Sequence, residues 1–159
     1  MNKLVMAMVL GFAVVATPLS AQAYVGAGLG VATTDAEHSS YKIFAGIQII
    51  PNFGLEIAYN NFGNYRGENA DAYSFAAVGT LPLGNTWDIF GKVGTTENHT
   101  KFADTTNHRD MLAGFGVVFK ATNDVSLRLE YENFGKLLND GSANNSNVSN
   151  WGLNLKSSF

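Results

Sequence analysis

The chain has 159 residues, a net charge of −3 and no cysteine. Its length makes one domain, the missing thiols exclude disulfides and thiolate metal sites, and nothing in the mildly acidic balance suggests a nucleic-acid partner. Charged residues make up only 14% of the chain, against about 25% in ordinary soluble domains, while the mean hydropathy is close to zero.

Residues 1–23 read as a secretory signal peptide. Lys3 supplies the positive start, and the apolar run from Leu4 to Ala16 is too short to span a bilayer comfortably. Pro18 breaks that run, and Ala21-Gln22-Ala23 has the small-x-small form of a cleavage site, with Ala21 and Ala23 as the small residues. The remaining 24–159 would form the domain. It has no segment approaching the roughly 20 apolar residues of a membrane helix.

Residues 24–159 alternate instead, one strand after another. Tyr24 to Val31 sets Val25, Ala27, Leu29 and Val31 against three glycines, and Tyr41 to Ile49 sets Tyr41, Ile43, Ala45, Ile47 and Ile49 against Lys42, Phe44, Gly46 and Gln48. After a turn at Ile50-Pro51-Asn52, the stretch from Phe53 to Asn61 opposes Phe53, Leu55, Ile57 and Tyr59 to Gly54, Glu56, Ala58 and Asn60. Ala72 to Thr80 alternates most weakly. Trp87 to Thr95 and Arg109 to Phe119 come next, then a stretch opposing Val125, Leu127, Leu129 and Tyr131 to Ser126, Arg128, Glu130 and Glu132. The last strand carries Trp151, Leu153, Leu155 and Phe159 on one face. Successive side chains of a strand point to opposite sides, so each is a ribbon with one greasy face and one polar or small face.

The connections alternate too. Short turns fall at residues 50–52, 81–86 and 120–124. Long polar loops are expected at Ala32–Ser40, Phe62–Asp71, Thr96–His108 and Gly135–Asn147. Transmembrane barrels show this asymmetry, with short periplasmic turns and longer external loops, and an even strand count would put both ends on the periplasmic side. The polar face carries Lys42, Glu56, Asp88, Lys92, Asp110, Arg128, Glu130, Glu132 and Lys156. Outside the loops acids and bases balance, as ions enclosed together must. Tyr41, Tyr59, Tyr73, Trp87, Tyr131, Trp151 and Phe159 lie near strand ends on the apolar face, as an interfacial girdle would. The fold expected is an all-β, eight-stranded antiparallel up-and-down transmembrane barrel with its apolar face outward.

The stretches Pro51-Asn52-Phe53-Gly54-Leu55-Glu56-Ile57-Ala58-Tyr59, Leu81-Pro82-Leu83, Gly91-Lys92-Val93-Gly94 and Leu127-Arg128-Leu129-Glu130-Tyr131-Glu132, with the terminal Phe159, resemble the eight-stranded barrel of outer membrane protein A and the related opacity-type surface antigens. The resemblance spans most of 24–159. It implies a Gram-negative outer-membrane location and an interior salt-bridge cluster of Glu56, Lys92, Arg128 and Glu130, with Val78 where the family often has a further inward Lys. It also implies a terminal signal, Trp151, Leu153, Leu155 and Phe159, read by the outer-membrane assembly machinery. Larger members continue into a peptidoglycan-binding domain, which is not expected here.

No catalytic, metal or cofactor site is expected. His38, His99 and His108 fall in the expected loops, so none sits on a strand to serve a lipid A hydrolase, and a metal site spread over two loops lacks support. Gly26-Ala27-Gly28-Leu29-Gly30 lacks the spacing and the subsequent helix of a nucleotide loop, and fits interior space-filling. The favoured function is a structural or surface-interaction role through the outer loops. Outer-membrane lipid and lipopolysaccharide would be its surroundings, and its surface ligand is unspecified. A low-conductance pore is the alternative and a lipid A-modifying enzyme a more distant one. A soluble ligand-binding barrel would instead be released with the periplasmic fraction.

Overall fold

The computed structural model describes residues 22–33, 37–65, 68–101, 105–136 and 147–159. Eight strands succeed one another: β1 (Gln22–Thr33), β2 (Glu37–Ile50), β3 (Phe53–Tyr65), β4 (Glu68–Leu83), β5 (Trp87–Lys101), β6 (Thr105–Lys120), β7 (Val125–Lys136) and β8 (Asn147–Ser158). Each pairs antiparallel with its neighbours in sequence, and β1 closes onto β8. Closure removes both sheet edges, so the backbone polar groups of the wall are paired without water, as a hydrocarbon surrounding demands.

Polarity is inside-out. Leu29, Ile43, Phe75, Val93, Met111, Phe115, Leu129, Leu153 and Leu155 are exposed on the outer wall, while Lys42, Glu56, Lys92, Arg128, Glu130 and Glu132 are buried within. The neighbours Leu129 and Glu130 make the contrast within one dipeptide, at 45% and 0% exposure.

Outward aromatics form two bands. Tyr41, Tyr59 and Tyr73 contact in series on β2, β3 and β4, and Phe115, Tyr131 and Trp151 continue the upper band over β6, β7 and β8. The lower band holds Trp87 against Phe119, at 4.9 Å between centroids, and the exposed Phe53 and Phe159. From Trp151 to Phe159 a strand advances about 26 Å. At a tilt of about 40° that is about 20 Å along the axis, close to the ~25 Å apolar band of such barrels.

Three short turns close one end. At Pro51-Asn52, Asn52 takes a φ of 72° and its carbonyl accepts from Thr80 N–H at 2.8 Å. Gly84, with a φ of 91°, reverses the chain between β4 and β5. Thr122 Oγ1 accepts from Val125 N–H at 3.0 Å in the third.

The strands reach further outward than the alternation suggests. His38 lies in β2, His99 in β5 and His108 in β6, not in loops, and Phe62, Asp71, Thr96 and Gly135 are likewise strand residues. Hydrophobic alternation stops where the wall leaves the membrane, but the hydrogen-bonded ladder does not: β4 and β5 stay in register up to Ala70 and Thr100. Polarity marks the edge of the lipid layer, not the edge of the sheet. Most of residues 1–23, including Ala21, lies outside the described residues. Ala23 is in β1, its N–H donating to the Phe159 carbonyl at 3.2 Å.

Candidate functional site: the interior ion network

Alternation aims Lys42 of β2, Glu56 of β3, Lys92 of β5, and Arg128, Glu130 and Glu132 of β7 at the axis. An eight-stranded interior is only wide enough for side chains to fill it. Charges from opposite walls therefore meet. Arg128 Nη1 donates to Glu56 Oε2 at 2.6 Å, and Nη2 lies 2.8 Å from Glu130 Oε2. Lys42 Nζ donates to Glu130 Oε1 at 2.6 Å and Glu132 Oε1 at 3.0 Å. Lys92 Nζ donates to Glu130 Oε2 at 2.9 Å and to Glu56 Oε1 at 3.4 Å, and it also pairs with Glu132. Three cations thus meet three carboxylates, all at most 3% exposed.

Neutral groups complete the shell. Tyr24 Oη donates to Glu56 Oε2 at 3.2 Å, and Asn154 Nδ2 donates to Glu130 Oε1 at 2.9 Å. The Arg128 guanidinium lies 4.0 Å from the centroid of the Phe90 ring and 5.1 Å from that of Phe44. Such a network is neutral and multiply bonded, the condition under which buried ions are tolerated.

Glu56, Lys92, Arg128 and Glu130 are brought together here. Lys42 and Glu132 share the network although the family resemblance singles out neither. The signal for both was their place on the polar face. Val78 packs with Phe90 and Val118 in a small apolar cluster. Trp151, Leu153, Leu155 and Phe159 do not join the network. Trp151, Leu153 and Leu155 are exposed on the outer face of β8, and the exposed Phe159 directly follows it.

The interior is layered. On the turn side a polar vestibule of about 260 Å³ is lined by Gln48, Thr80, Asp88, Lys120 and Lys156 and reaches inward to Arg128. Lys120 Nζ lies 2.7 Å from Asp88 Oδ1, and Lys156 Nζ lies 4.9 Å from the centroid of Tyr24. On the loop side an apolar layer of Ala32, Phe62, Ala70, Ala72, Ala76, Leu112, Phe134 and Val148 covers the network. Glycines let the strands carry this filling. A Cβ on Gly116 would stand 2.7 Å from Cε1 of Phe90.

Lumen and lipid are separated by the wall. Ser40 is buried and donates to Asn150 Oδ1 at 2.5 Å, and the half-buried His38 shares its inward face. Among the described residues no group of His, Asp and Glu is placed to hold a metal ion.

A closed eight-stranded barrel with an apolar exterior, aromatic bands and enclosed ions is an outer-membrane barrel. The chain belongs to the family of the OmpA-like transmembrane domain, whose model matches residues 18–159, and its location is the Gram-negative outer membrane. Among solved structures it is similar to the Neisserial surface protein A, NspA (15% identity, TM-score 0.62, covering 87% of this chain and 97% of that one). It is also similar to Ail, the attachment invasion locus protein of Yersinia pestis (12% identity, TM-score 0.58, 87% and 97%). A third is the outer membrane enzyme PagL (14% identity, TM-score 0.54, 84% and 98%). At these identities the likeness is one of fold. No curated protein matches the chain in sequence.

Proposed function

We propose that this barrel is a non-catalytic surface protein of the outer membrane, a rigid mount that presents its outer strand ends and loops to the exterior. The observation that carries this reading is the filled interior. An ion network spans the lumen from β2 and β3 to β7, and an apolar layer lies above it. With so narrow a lumen packed in this way, the surfaces left for function are the lipid-facing wall and the outer rim. Lipopolysaccharide surrounds the wall in this reading, and a ligand of the rim is its partner. The name of Ail, which shares the fold, describes attachment and invasion, a role of the same kind.

A lipid-modifying activity like that of an outer membrane enzyme such as PagL has less support. Its substrate would lie outside the wall, whereas the inward face of β2 holds both His38 and Ser40. The test is planar-bilayer recording on refolded protein beside analysis of lipid extracts from cells with and without it. Silent bilayers and unchanged lipid species are the expected result. Sustained openings abolished by Lys92→Ala would favour a pore, and a new deacylated lipid species would favour an enzyme.

A further inference from the structure

Two stretches of the chain repeat each other. Leu55-Glu56-Ile57-Ala58-Tyr59-Asn60-Asn61-Phe62-Gly63 on β3 matches Leu127-Arg128-Leu129-Glu130-Tyr131-Glu132-Asn133-Phe134-Gly135 on β7 at Leu, Tyr and the Asn-Phe-Gly end. In a closed ring of eight strands β3 and β7 are diametrically opposite. Equivalent inward positions therefore face each other across the lumen. Glu56 meets Arg128, and three inward steps later Phe62 meets Phe134, edge to face with centroids 5.0 Å apart.

Each Asn-Phe-Gly end is a β-bulge. Strand register shifts between Asn61 and Asn64 and between Asn133 and Lys136. Gly63 and Gly135 adopt φ of 75° and 68°, a backbone region that glycine enters without penalty. Asn61 Oδ1 accepts from Gly63 N–H at 3.0 Å, and Asn133 Oδ1 accepts from Gly135 N–H at 2.9 Å. A Cβ at Gly135 would collide with the Asp110 carboxylate. Bulges re-aim side chains, and these two bring a ring from each wall into contact. Asn98 Nδ2 holds the Phe134 carbonyl at 3.1 Å, and Phe62 and Phe134 are 3% and 0% exposed.

We propose that the Phe62–Phe134 pair is a hydrophobic gate, separate from the ion network, that seals the lumen against water and ions from the outer side. Apolar constrictions close pores by dewetting. Beneath the rings the lumen turns polar: the Asn60 amide and Glu132 Oε2 have no hydrogen-bond partner among the described residues. The gate thus divides a dry layer from a layer that solvates ions. The gate does not depend on what the loops contact.

The chain has no cysteine, so a single introduced thiol is a clean reporter. Asn60→Cys places one directly under the rings. Barrels in vesicles with the loop side out are exposed to a charged, membrane-impermeant methanethiosulfonate reagent. With the aromatic pair intact, modification should be slow. Adding Phe62→Ala and Phe134→Ala should accelerate it by on the order of tenfold or more, whereas Lys156→Ala on the vestibule side should not. Retained heat-modifiable gel mobility reports that the barrel is folded. If the double variant does not fold, Phe134→Ala alone carries the test, because Phe134 is the fully enclosed ring. Fast labelling with both rings present, or an unchanged rate after their removal from a folded barrel, overturns the proposal.

Discussion

Glu56 and Arg128 stand on opposite walls and are joined by hydrogen bonds of 2.6 and 3.3 Å, a two-pronged contact at almost full burial. Removing one partner leaves the other charged and enclosed. Arg128→Met should therefore destabilise the barrel by about 3–5 kcal/mol. Replacing both partners with apolar residues of similar volume should cost less than either single change. Urea unfolding of protein refolded in lipid measures this, and a double-variant loss equal to the sum of the two single losses would contradict a direct coupling.

Inside-out polarity can be read residue by residue. A fluorophore on Leu129→Cys should be quenched by lipids brominated at mid-chain, while one on Glu130→Cys should not, since the two side chains leave opposite faces of β7. Leu129→Arg should cost about 2–4 kcal/mol if the site is near the bilayer midplane. The reverse quenching pattern would invert the wall.

Glycines on the two faces differ in what surrounds them. Gly116→Val should destabilise by about 1–3 kcal/mol or more through overpacking, because its Cβ would run into the Leu129 carbonyl oxygen and meet the Phe90 ring at 2.7 Å. Gly79 opens on the outer wall with no atom within 4 Å of an added Cβ. Gly79→Val should leave the unfolding midpoint nearly unchanged, and a comparable loss at both sites would refute the interior-packing account.

Deleting Phe159 should lower the fraction of protein inserted in the outer membrane, if the terminal strand is the segment read during assembly. The same deletion also removes the residue next to β8, the strand that closes the barrel onto β1. Refolding into pure lipid without any machinery separates the two effects. A loss seen only in cells supports the signal, and an equal loss in both settings assigns the defect to barrel closure.

The wall is legible in the sequence because lipid on one side and a crowded axis on the other impose opposite demands on alternate residues. Leu127, Leu129 and Tyr131 against Arg128, Glu130 and Glu132 is such a record. The outer third is not legible. Beyond Thr95 both faces of β5 turn polar, and Phe62-Gly63-Asn64-Tyr65 on β3 follows no period of two, so the signal fades while backbone pairing continues. Phe62 and Phe134 sit in or beside stretches whose polarity reads as loop, and no alternation sets their shared Asn-Phe-Gly motif apart.

Sequence alone determined the strand number, the places of the short turns, and which face of each ribbon meets hydrocarbon, because those depend on local alternation and turn chemistry. Partnership across the lumen belonged to the tertiary structure. Whether Lys42 reaches Glu132, or Phe62 meets Phe134, depends on closure of eight strands at one shear. Ring closure sets which residues stand opposite at the same height, and no local pattern encodes that distance.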